Sequence, residues 1–425
     1  MRILLTANAS YVPPRGGATR SNLAWLEMLS RRGHACRVVA ASLVHDPQGK
    51  LEQLRQERIP LESLRVEDDI EVAEYRGVRI YAAADPGGRR RLLREQVRSF
   101  QPDWVLVSSE DLGQVLLREA FREAPGRVVY LAHTPQLFPF GPASWNPDPQ
   151  STELVRHAAA IIAIGEHMAS YIETHLGRRA TVIHPPIYGD GPFERYGRFD
   201  DGWITLINPC AVKGIALFLE LARRFADYPF AALPGWGTTA EDRRALEALP
   251  NVTLLANVRD IREILARTRV LLMPSLWYEG FGLSVMEAML HGIPVLASDS
   301  GGLVEAKMGT RFVLPVRPIE RYEAEFDEHG LPRAVIPPQD TEPWAATLRS
   351  LLEDRGLYED VAAESHAKAV EFVGTIRPNA LEEFLAALPP SVRTARPPSL
   401  SQKLAELSPE KRALLLARLR GRESS

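Results

Sequence analysis

The chain alternates short apolar runs with longer amphipathic segments, and the alternation occurs twice. The first series of apolar runs predicts strands at 3–7, 37–41, 104–107, 128–132, 161–164 and 181–184. After the aperiodic stretch 187–202, a second series predicts strands at 204–207, 230–233, 252–255, 270–273 and 295–297. Segments with helical spacing separate the runs, as at 21–30, 215–226 and 240–249. Such alternation is typical of parallel sheets covered by helices on both faces.

The pattern therefore predicts an α/β chain with two doubly wound, Rossmann-like domains. The first spans 1–190, the second spans 200–369, and 187–202 connects them. Residues 341–353 and the run 357–388 have helical spacing, whereas 317–340 has no clear period and is predicted to be an irregular excursion of the second domain. Ligands of doubly wound sheets bind at the carboxyl ends of the strands, so a site is expected between the domains.

Composition narrows the class of protein. The length of 425 residues suits two domains, and 45% hydrophobic with 25% charged residues is typical of a globular protein in water. The net charge of −3 argues against nucleic-acid binding driven by phosphate contacts. Cys36 and Cys210 have no metal-ligand spacing and favour a reducing compartment. Because no segment reads as a signal peptide or membrane span, the expected location is cytoplasmic.

The most informative segment is 274–294, which carries Glu279 and Glu287 with seven residues between them. A predicted strand at 270–273 leads through Gly280-Phe281-Gly282 into a segment with helical spacing. Backbone N–H groups at such a helix start favour an anion such as phosphate. A carboxylate beside that anion suits sugar hydroxyls, so the segment indicates sugar phosphate chemistry. The alternative is an ordinary strand-helix unit in which the glycines only relieve crowding.

The whole string 274–294, with the following 299–305, resembles the signature of retaining glycosyltransferases of family 4, which have the GT-B fold. The resemblance implies a nucleotide-diphosphate sugar donor bound in the cleft. It implies that Glu279 holds the hydroxyls of the donor sugar and that Glu287 holds the ribose. Gly280, Phe281, Gly282 and Leu283 would line the donor. In this fold the last helices cross back, so 370–388 is expected to complete the first domain.

Lys213 follows the first strand of the second domain, where an exposed lysine is a plausible counter-charge for a departing diphosphate. The resemblance supports this role, because family members bind the diphosphate with a lysine followed by glycine. They often carry an arginine a few residues earlier, but 208–210 reads Asn-Pro-Cys here. Either Lys213 acts with backbone amides alone, or an arginine such as Arg15 or Arg20 comes from elsewhere.

Two further positions of the first domain enter through the resemblance. Gly16 and Gly17 form a glycine turn between the first strand and helix, and family members place such a pair beside the diphosphate and acceptor. His133 ends the strand at 128–132, and a family histidine there touches the donor sugar. Taken alone, the histidine would more often be structural and the glycines only a turn.

The resemblance also gives Gly235 and Val258, at the next two strand ends of the second domain, a place beside the nucleobase. In the first domain, the loop 136–148 carries Phe138, Phe140 and Trp145 among prolines. Exposed aromatic residues there would suit an apolar or sugar acceptor. Packing onto their own domain is an equally good interpretation of the same residues.

The sequence thus predicts a retaining glycosyltransferase acting on a hydroxyl acceptor, with no cofactor besides the sugar nucleotide. No Asp-x-Asp motif occurs, so we predict no metal site. Lys213 and helix N-termini are expected to neutralise the phosphates instead. A sugar-nucleotide epimerase or phosphorylase on the same fold is an alternative. An inactive relative that binds a partner is another, although the intact Lys213, Glu279 and Glu287 argue against it.

The tail 389–425 reads as a proline-rich linker followed by an amphipathic helix. Ser408 and Pro409 resemble a helix start, and Leu415 and Leu419 share one face. A helix of this length gains stability by packing against something, so docking to a protein partner is one hypothesis. Its brief similarity to segments of nonribosomal peptide synthetases suggests a peptide or polyketide natural product as acceptor, and a glycan is the alternative acceptor. The competing interpretation is that the tail packs on its own chain or frays.

Overall fold

A computed structural model of the chain describes residues 1–14, 16–42, 54–55, 64–67, 69–258 and 260–389. The predicted tail helix and its proposed partner contact lie outside the described residues, and so does Arg15. Within the described ranges the chain forms two sheets flanked by helices, followed by a separate two-stranded hairpin.

The first sheet has nine strands in the order β3-β4-β5-β2-β1-β6-β7-β8-β9. Their bounds are β1 Arg2–Thr6, β2 Ala35–Ala41, β3 Arg65–Glu67, β4 Ile70–Tyr75, β5 Val78–Ala83, β6 Trp104–Ser108, β7 Val128–Ala132, β8 Ala160–Ala163 and β9 Thr181–Val182. Most neighbouring strands are parallel, but β4 runs antiparallel to both β3 and β5. The sequence pattern missed β3, β4 and β5, which form the antiparallel edge.

The missed edge has a local explanation. Strand β4 reads Ile-Glu-Val-Ala-Glu-Tyr, in which Glu71 and Glu74 interrupt the apolar residues at irregular spacing. A two-residue turn of Arg76 and Gly77, both with positive φ, joins it to β5. Such a turn matches the twist of paired strands and makes a hairpin. This hairpin extends a sheet that is otherwise wound by parallel crossovers.

Helices cover both faces of this sheet. They are α1 Gly17–Arg31, α2 Pro86–Phe100, α3 Val115–Glu123, α4 Pro149–Arg156 and α5 Glu166–Leu176. Helix α1 begins at the glycine pair, earlier than the predicted start at residue 21. Because β1 is central in the sheet, the start of α1 stands at the middle of its carboxyl edge.

The second sheet has six parallel strands in the order β12-β11-β10-β13-β14-β15. The strands are β10 Trp203–Ile207, β11 Phe230–Leu233, β12 Val252–Leu254, β13 Thr268–Met273, β14 Val295–Ser298 and β15 Val313–Leu314. Its helices are α6 Ile215–Arg224, α7 Ala240–Glu247, α8 Arg262–Leu265, α9 Leu283–Leu290, α10 Leu303–Ala306, α11 Glu342–Glu353 and α12 Arg355–Thr375. Central strands β10 and β13 therefore carry Lys213 and Glu279 just past their carboxyl ends.

The prediction that 317–340 is irregular was wrong. Strands β16 Arg321–Phe326 and β17 Pro332–Val335 pair there as an antiparallel hairpin. The side chains of both strands are mostly exposed, but β16 does alternate charged Arg321, Glu323 and Glu325 with Tyr322, Ala324 and Phe326, a strand signal that the sequence analysis missed. Turn contacts fix the tip of the hairpin, where the Asp327 carboxylate accepts hydrogen bonds from the backbone N–H groups of His329 and Leu331, each at 2.9 Å.

The last described helix, α13 Ala380–Ala387, packs beside the first sheet. The indole N–H of Trp104 donates to the carbonyl oxygen of Leu385 at 3.0 Å, and His34 Nε2 lies 2.8 Å from Glu382 Oε1. Leu381 and Leu385 belong to the apolar core under that sheet. The chain therefore returns to its first half after completing the second sheet.

One apolar cluster runs through both halves of this body. It joins Leu5 of β1 and Ile164 after β8 to Phe281, Met286 and Leu271 of the second half. Separate clusters fill the other face of each sheet. The continuous core fixes the facing edges of the two sheets, which hold the candidate site. Within the described part of the chain, no helix has the length and apolar character needed to cross a bilayer.

Candidate active site

Gly280 brings the strand-end loops of the two sheets into direct contact. A Cβ added at Gly280 would lie 2.2 Å from the carbonyl oxygen of His133 and 2.9 Å from Ile164 Cδ1. His133 follows β7 of the first sheet, whereas Gly280 follows β13 of the second. Only a residue without a side chain fits this separation, so Gly280 sets the approach of the two halves at the cleft.

Lys213 and Glu279 form an ion pair at the carboxyl ends of β10 and β13. Lys213 Nζ donates to Glu279 Oε1, and Ser275 Oγ donates to the same oxygen at 2.6 Å. Both charged side chains are largely buried, with 12% and 13% of their side-chain surface exposed. The ammonium also lies 5.5 Å from the Trp277 ring centroid and 5.9 Å from that of Trp236. Aromatic faces and a carboxylate thus hold one cation in place.

Close packing at Gly214 joins the loop before Glu279 to the loop that carries Lys213. Gly214 has φ of 77°, and a Cβ there would lie 2.1 Å from the carbonyl oxygen of Pro274. The backbone N–H groups of Leu276 and Trp277 both donate to Val212 O, at 2.9 and 3.0 Å. The Lys-Gly sequence is therefore required by the packing of these two loops as well as by charge.

Glu287 is paired with Arg20, which comes from the other half of the body. Arg20 Nη1 donates to Glu287 Oε2 at 3.1 Å and Nη2 donates to Oε1, giving a bidentate pair. Glu287 lies in α9 and is buried, while Arg20 lies in the first turn of α1. The negative charge of Glu287 raises the pKa of Arg20 above its usual value. Sequence analysis named Arg20 only as a candidate without positional support.

The glycine pair of the first domain faces the second half. Gly16 has φ of 90°, and a Cβ there would lie 3.9 Å from Trp236 Cδ1. At Gly17 a Cβ would lie 3.3 Å from Leu283 Cδ1, so this residue approaches the start of α9. Both glycines are exposed. The structure therefore places Gly16, Gly17 and Leu283 around one opening, next to the Trp236 ring that covers Lys213.

His133 is buried behind this opening. Its backbone N–H donates to Ser109 Oγ at 3.0 Å, and Nε2 lies 3.0 Å from Asn22 Oδ1. Because Asn22 Oδ1 is an acceptor, Nε2 carries the ring proton. Burial lowers the pKa of His133 to about 3, so the imidazole is neutral near pH 7. The ring can accept a hydrogen bond through Nδ1 but carries no charge there.

In the Gly280-Phe281-Gly282 turn, the glycines shape the backbone, whereas the Phe281 side chain packs in the core. The Phe281 ring is 3% exposed and stacks on Phe372 at 5.6 Å, inside the core shared by the two halves. Gly282 has φ of 113° and begins α9. Gly302 N–H donates to Glu279 O at 2.8 Å, which attaches the next loop to this turn. The side chain of Phe281 thus packs in the protein interior. A contact between its ring and the donor would require the ring to face the cleft.

Gly235 and Val258 stand at the adjoining strand ends β11 and β12. A Cβ at Gly235 would lie 2.5 Å from Asn208 Oδ1, so the loop packs against the end of β10. The same oxygen accepts a hydrogen bond from Gly237 N–H at 3.0 Å. Val258 is partly buried in the loop after β12. Both residues line the same edge of the second sheet as Lys213.

The aromatic residues of the loop 136–148 lie in two different environments. Phe138 and Phe140 are buried in their own domain, as the competing interpretation expected. Trp145 instead contacts the ring of Trp277 at 5.1 Å and that of Tyr322 at 5.4 Å, both edge-on. Sequence analysis missed Trp277 and Tyr322; Trp277 precedes Glu279 by two residues, but Tyr322 lies on the unpredicted hairpin.

A further carboxylate joins the two halves beside the cleft. Glu305 accepts hydrogen bonds from the backbone N–H groups of Glu166 and His167, at 2.9 and 2.8 Å. These groups are at the start of α5, where the helix dipole favours a negative charge. The Tyr278 hydroxyl lies 2.6 Å from His167 Nε2. The segment 299–305 thus binds the first domain directly.

Comparisons with known families agree with this arrangement. The profile of "Glycosyl transferases group 1" matches residues 203–354, and that of "Glycosyltransferase Family 4" matches residues 15–188. Together the two matches take in the second sheet, the first sheet apart from β1, and the ion pairs Lys213–Glu279 and Arg20–Glu287. The chain belongs to the group 1 and family 4 glycosyltransferases and has the GT-B fold.

Solved structures extend the comparison to the whole body. Sucrose-phosphate synthase from Thermosynechococcus elongatus matches with a TM-score of 0.66 at 15% identity, over 91% of this chain and 100% of that one. Anabaena HepE in complex with UDP and glucose gives 0.60 at 18%, over 91% and 100%. A Staphylococcus aureus TarM mutant with fondaparinux, alpha-GlcNAc-glycerol and UDP gives 0.61 at 11%, over 91% and 99%. A comparison with curated protein sequences gives no match.

The contact at Gly280 gives a testable prediction. We expect Gly280→Ala to lower the free energy of unfolding by about 1–3 kcal/mol, because its methyl group must displace the backbone of His133. The closure of the cleft should loosen as well. Urea unfolding and small-angle scattering measure the two effects. Gly374→Ala is the matched control, since nothing lies within 4 Å of its added Cβ. Equal stability of the two variants would contradict the proposed constraint.

Proposed function

We propose that this chain transfers a sugar from a nucleotide-diphosphate donor to a hydroxyl acceptor with retention at the anomeric carbon. The proposal rests on two ion pairs at one cleft, Lys213 with Glu279 and Arg20 with Glu287. Each combines a cation suited to phosphate with a carboxylate suited to hydroxyls. The glycine pair at the start of α1 and the start of α9 leave backbone groups accessible beside them.

Each charged residue has a distinct role in this proposal. Lys213 stabilises the negative charge that develops on the departing diphosphate. Glu279 accepts hydrogen bonds from hydroxyls of the donor sugar, and Glu287 accepts them from the ribose. Arg20 supplies the second cation that the segment 208–210 lacks. Its approach from the first domain makes the phosphate site complete only when the cleft is closed.

The proposed chemistry needs no protein base. The acceptor attacks on the face from which the diphosphate leaves, and a phosphate oxygen takes the acceptor's proton. Glu279 already accepts from Lys213 and Ser275, so it is committed to binding and positioning. His133 is neutral near pH 7 because burial lowers its pKa to about 3, so it contributes hydrogen bonding without charge. Lys213, Arg20 and helix N-termini neutralise the phosphates in place of a metal ion.

The function is tested by incubating the protein with UDP-, GDP- and TDP-sugars and following anomeric signals by NMR. UDP-glucose is the first donor because the HepE neighbour was solved in complex with it. We expect a retained anomeric configuration in the product and unchanged turnover in EDTA. Complete loss of turnover in EDTA, restored by magnesium, would contradict metal independence. An inverted product would contradict retention, and conversion of the donor sugar without acceptor would identify an epimerase.

Replacing Lys213 should act mainly on chemistry. We expect Lys213→Ala to lower kcat by roughly two to three orders of magnitude, as removal of one electrostatic stabiliser of a transition state does. The variant should remain folded, although its melting temperature should fall because the largely buried Glu279 loses its partner cation. Lys368→Ala, a change at an exposed residue of α12, is the control and should leave kcat unaltered. Near-normal turnover of Lys213→Ala would show that this ammonium has no role in departure of the diphosphate.

Replacing Glu279 and replacing Glu287 should have different effects. Glu279→Ala should impair sugar transfer while leaving UDP binding nearly intact, because its carboxylate faces Lys213 and the sugar side. Glu287→Ala should weaken UDP binding itself, because it removes the ribose contact and frees Arg20. Isothermal titration with UDP and steady-state kinetics with UDP-glucose distinguish the two phenotypes. Exchanged phenotypes would show that the roles of Glu279 and Glu287 are assigned in reverse.

A further inference from the structure

In the part of the chain that the structure describes, five buried polar atoms without a partner lie in the loops that follow β6 and β7, among them Gln136 Oε1 and the indole donor Trp145 Nε1. Glu110 Oε2, Gln114 Oε1 and His133 Nδ1 are shielded from solvent, and none has a hydrogen-bond partner among the described residues. Glu110 Oε2, when ionised, and Gln114 Oε1 are acceptors, and so is His133 Nδ1 because the ring proton is on Nε2. Buried polar atoms are nearly always paired, so a set of unpaired acceptors points to a ligand that donates hydrogen bonds.

The loops that carry these atoms form one surface. Gln114 Nε2 donates to Leu137 O at 2.9 Å, and Asn146 Nδ2 donates to Leu112 O at 3.1 Å. At the strand ends, His133 N–H donates to Ser109 Oγ at 3.0 Å. The segment 109–114 is therefore attached along its length to 133–146. The unpaired acceptors belong to this attached pair of loops.

Glu110 differs from the carboxylate beside it. Asp111 Oδ2 accepts hydrogen bonds from the backbone N–H groups of Leu116 at 2.7 Å and Leu117 at 3.3 Å, which is a structural role at the start of α3. Glu110 has neither such a bond nor an ion pair within the described ranges. Burial alone raises the pKa of Glu110 to about 7. Glu110 is partly buried and its Oε2 is shielded without a partner among the residues described, an arrangement that costs stability and that a purely structural role would not explain.

This surface adjoins the reacting groups. Trp145, next to Asn146, contacts the Trp277 ring at 5.1 Å, and Trp277 lies 5.5 Å from Lys213 Nζ. The backbone of His133 touches Gly280, one residue after Glu279. The loops that carry Glu110 therefore border the Lys213–Glu279 pair from the first domain, on the side opposite to the second sheet.

We propose that Glu110 is a specificity-determining residue that accepts hydrogen bonds from the hydroxyls of a polyhydroxylated ring, a sugar or a cyclitol, bound as the acceptor. The inference rests on the proposed function and narrows its acceptor class. Hydroxyl groups donate to Glu110, Gln114 and His133, and the apolar face of such a ring suits the neighbouring Trp145. An apolar polyketide would leave the same acceptors unpaired, which argues against that part of the acceptor class suggested by the tail.

The test compares wild type with Glu110→Gln and with Glu173→Gln, an exposed residue of α5. UDP is kept saturating, and binding of methyl α-glucoside, myo-inositol and glucosamine is measured by isothermal titration at pH 6 and pH 8. We expect binding to at least one ring compound, weakened roughly ten- to a hundredfold in Glu110→Gln, as for loss of a hydrogen bond to a charged group. Glu173→Gln should bind as wild type does.

The pH dependence identifies Glu110 itself. The ionised carboxylate accepts two hydrogen bonds, and its pKa of about 7 makes this form prevail at pH 8 and diminish at pH 6. Binding of a neutral ring to wild type should therefore weaken on lowering the pH, whereas binding to Glu110→Gln should not change. Preference for glucosamine over the neutral rings, lost in Glu110→Gln, would support an amino sugar as the donor of these hydrogen bonds.

Two results would overturn the inference while leaving the proposed function intact. In the first, UDP binds normally but none of the three rings binds wild type. In the second, the rings bind Glu110→Gln as tightly as wild type at both pH values. Failure of UDP and UDP-glucose to bind any variant would instead overturn the proposed function on which the inference rests. Normal UDP binding by Glu110→Gln also shows that this variant is folded.

Discussion

The approach of the Gly280 backbone to the carbonyl oxygen of His133 is the contact on which the site depends. It holds the ends of β7 and β13 so close that no side chain fits between them. Given this separation, Arg20 reaches Glu287 and Glu305 reaches the start of α5. The two halves thus meet through polar contacts at the cleft and through one continuous apolar core beside it.

Two carboxylates of the cleft, both in the segment 274–294, are each matched by a cation. Glu279 is paired with Lys213 and Glu287 with Arg20, both in largely buried positions. Burying a charge without a partner is far more costly than burying a matched pair. Because each ion pair has no net charge, the two halves can pack together at the cleft. The cations suited to phosphate and the carboxylates suited to hydroxyls are both kept there. Glu110 is the contrasting case, since its carboxyl is buried with no such partner in the described residues.

The proposed acceptor side draws on three separate parts of the chain. Loops after β6 and β7 supply Glu110 and Trp145, the loop before Glu279 supplies Trp277, and the hairpin β16–β17 supplies Tyr322. The hairpin is held at its tip, where Glu328 accepts a hydrogen bond from the backbone N–H of Ala240 at 2.8 Å. A late, largely exposed hairpin thereby contributes an aromatic ring that contacts Trp145, which in turn contacts the Trp277 ring beside Lys213.

The sequence by itself determined the parts whose signals are local. Strand and helix periods predicted the two series of elements, and the spacing of Glu279 and Glu287 with its glycines indicated the site. Only the tertiary structure decided that Arg20 pairs with Glu287, 267 residues away, and that the Phe281 ring packs into the core. It also decided that the hairpin β16–β17 brings the Tyr322 ring against Trp145 of the first domain. Periodicity reports which face of an element is buried, whereas the partner of a charge depends on how distant elements pack.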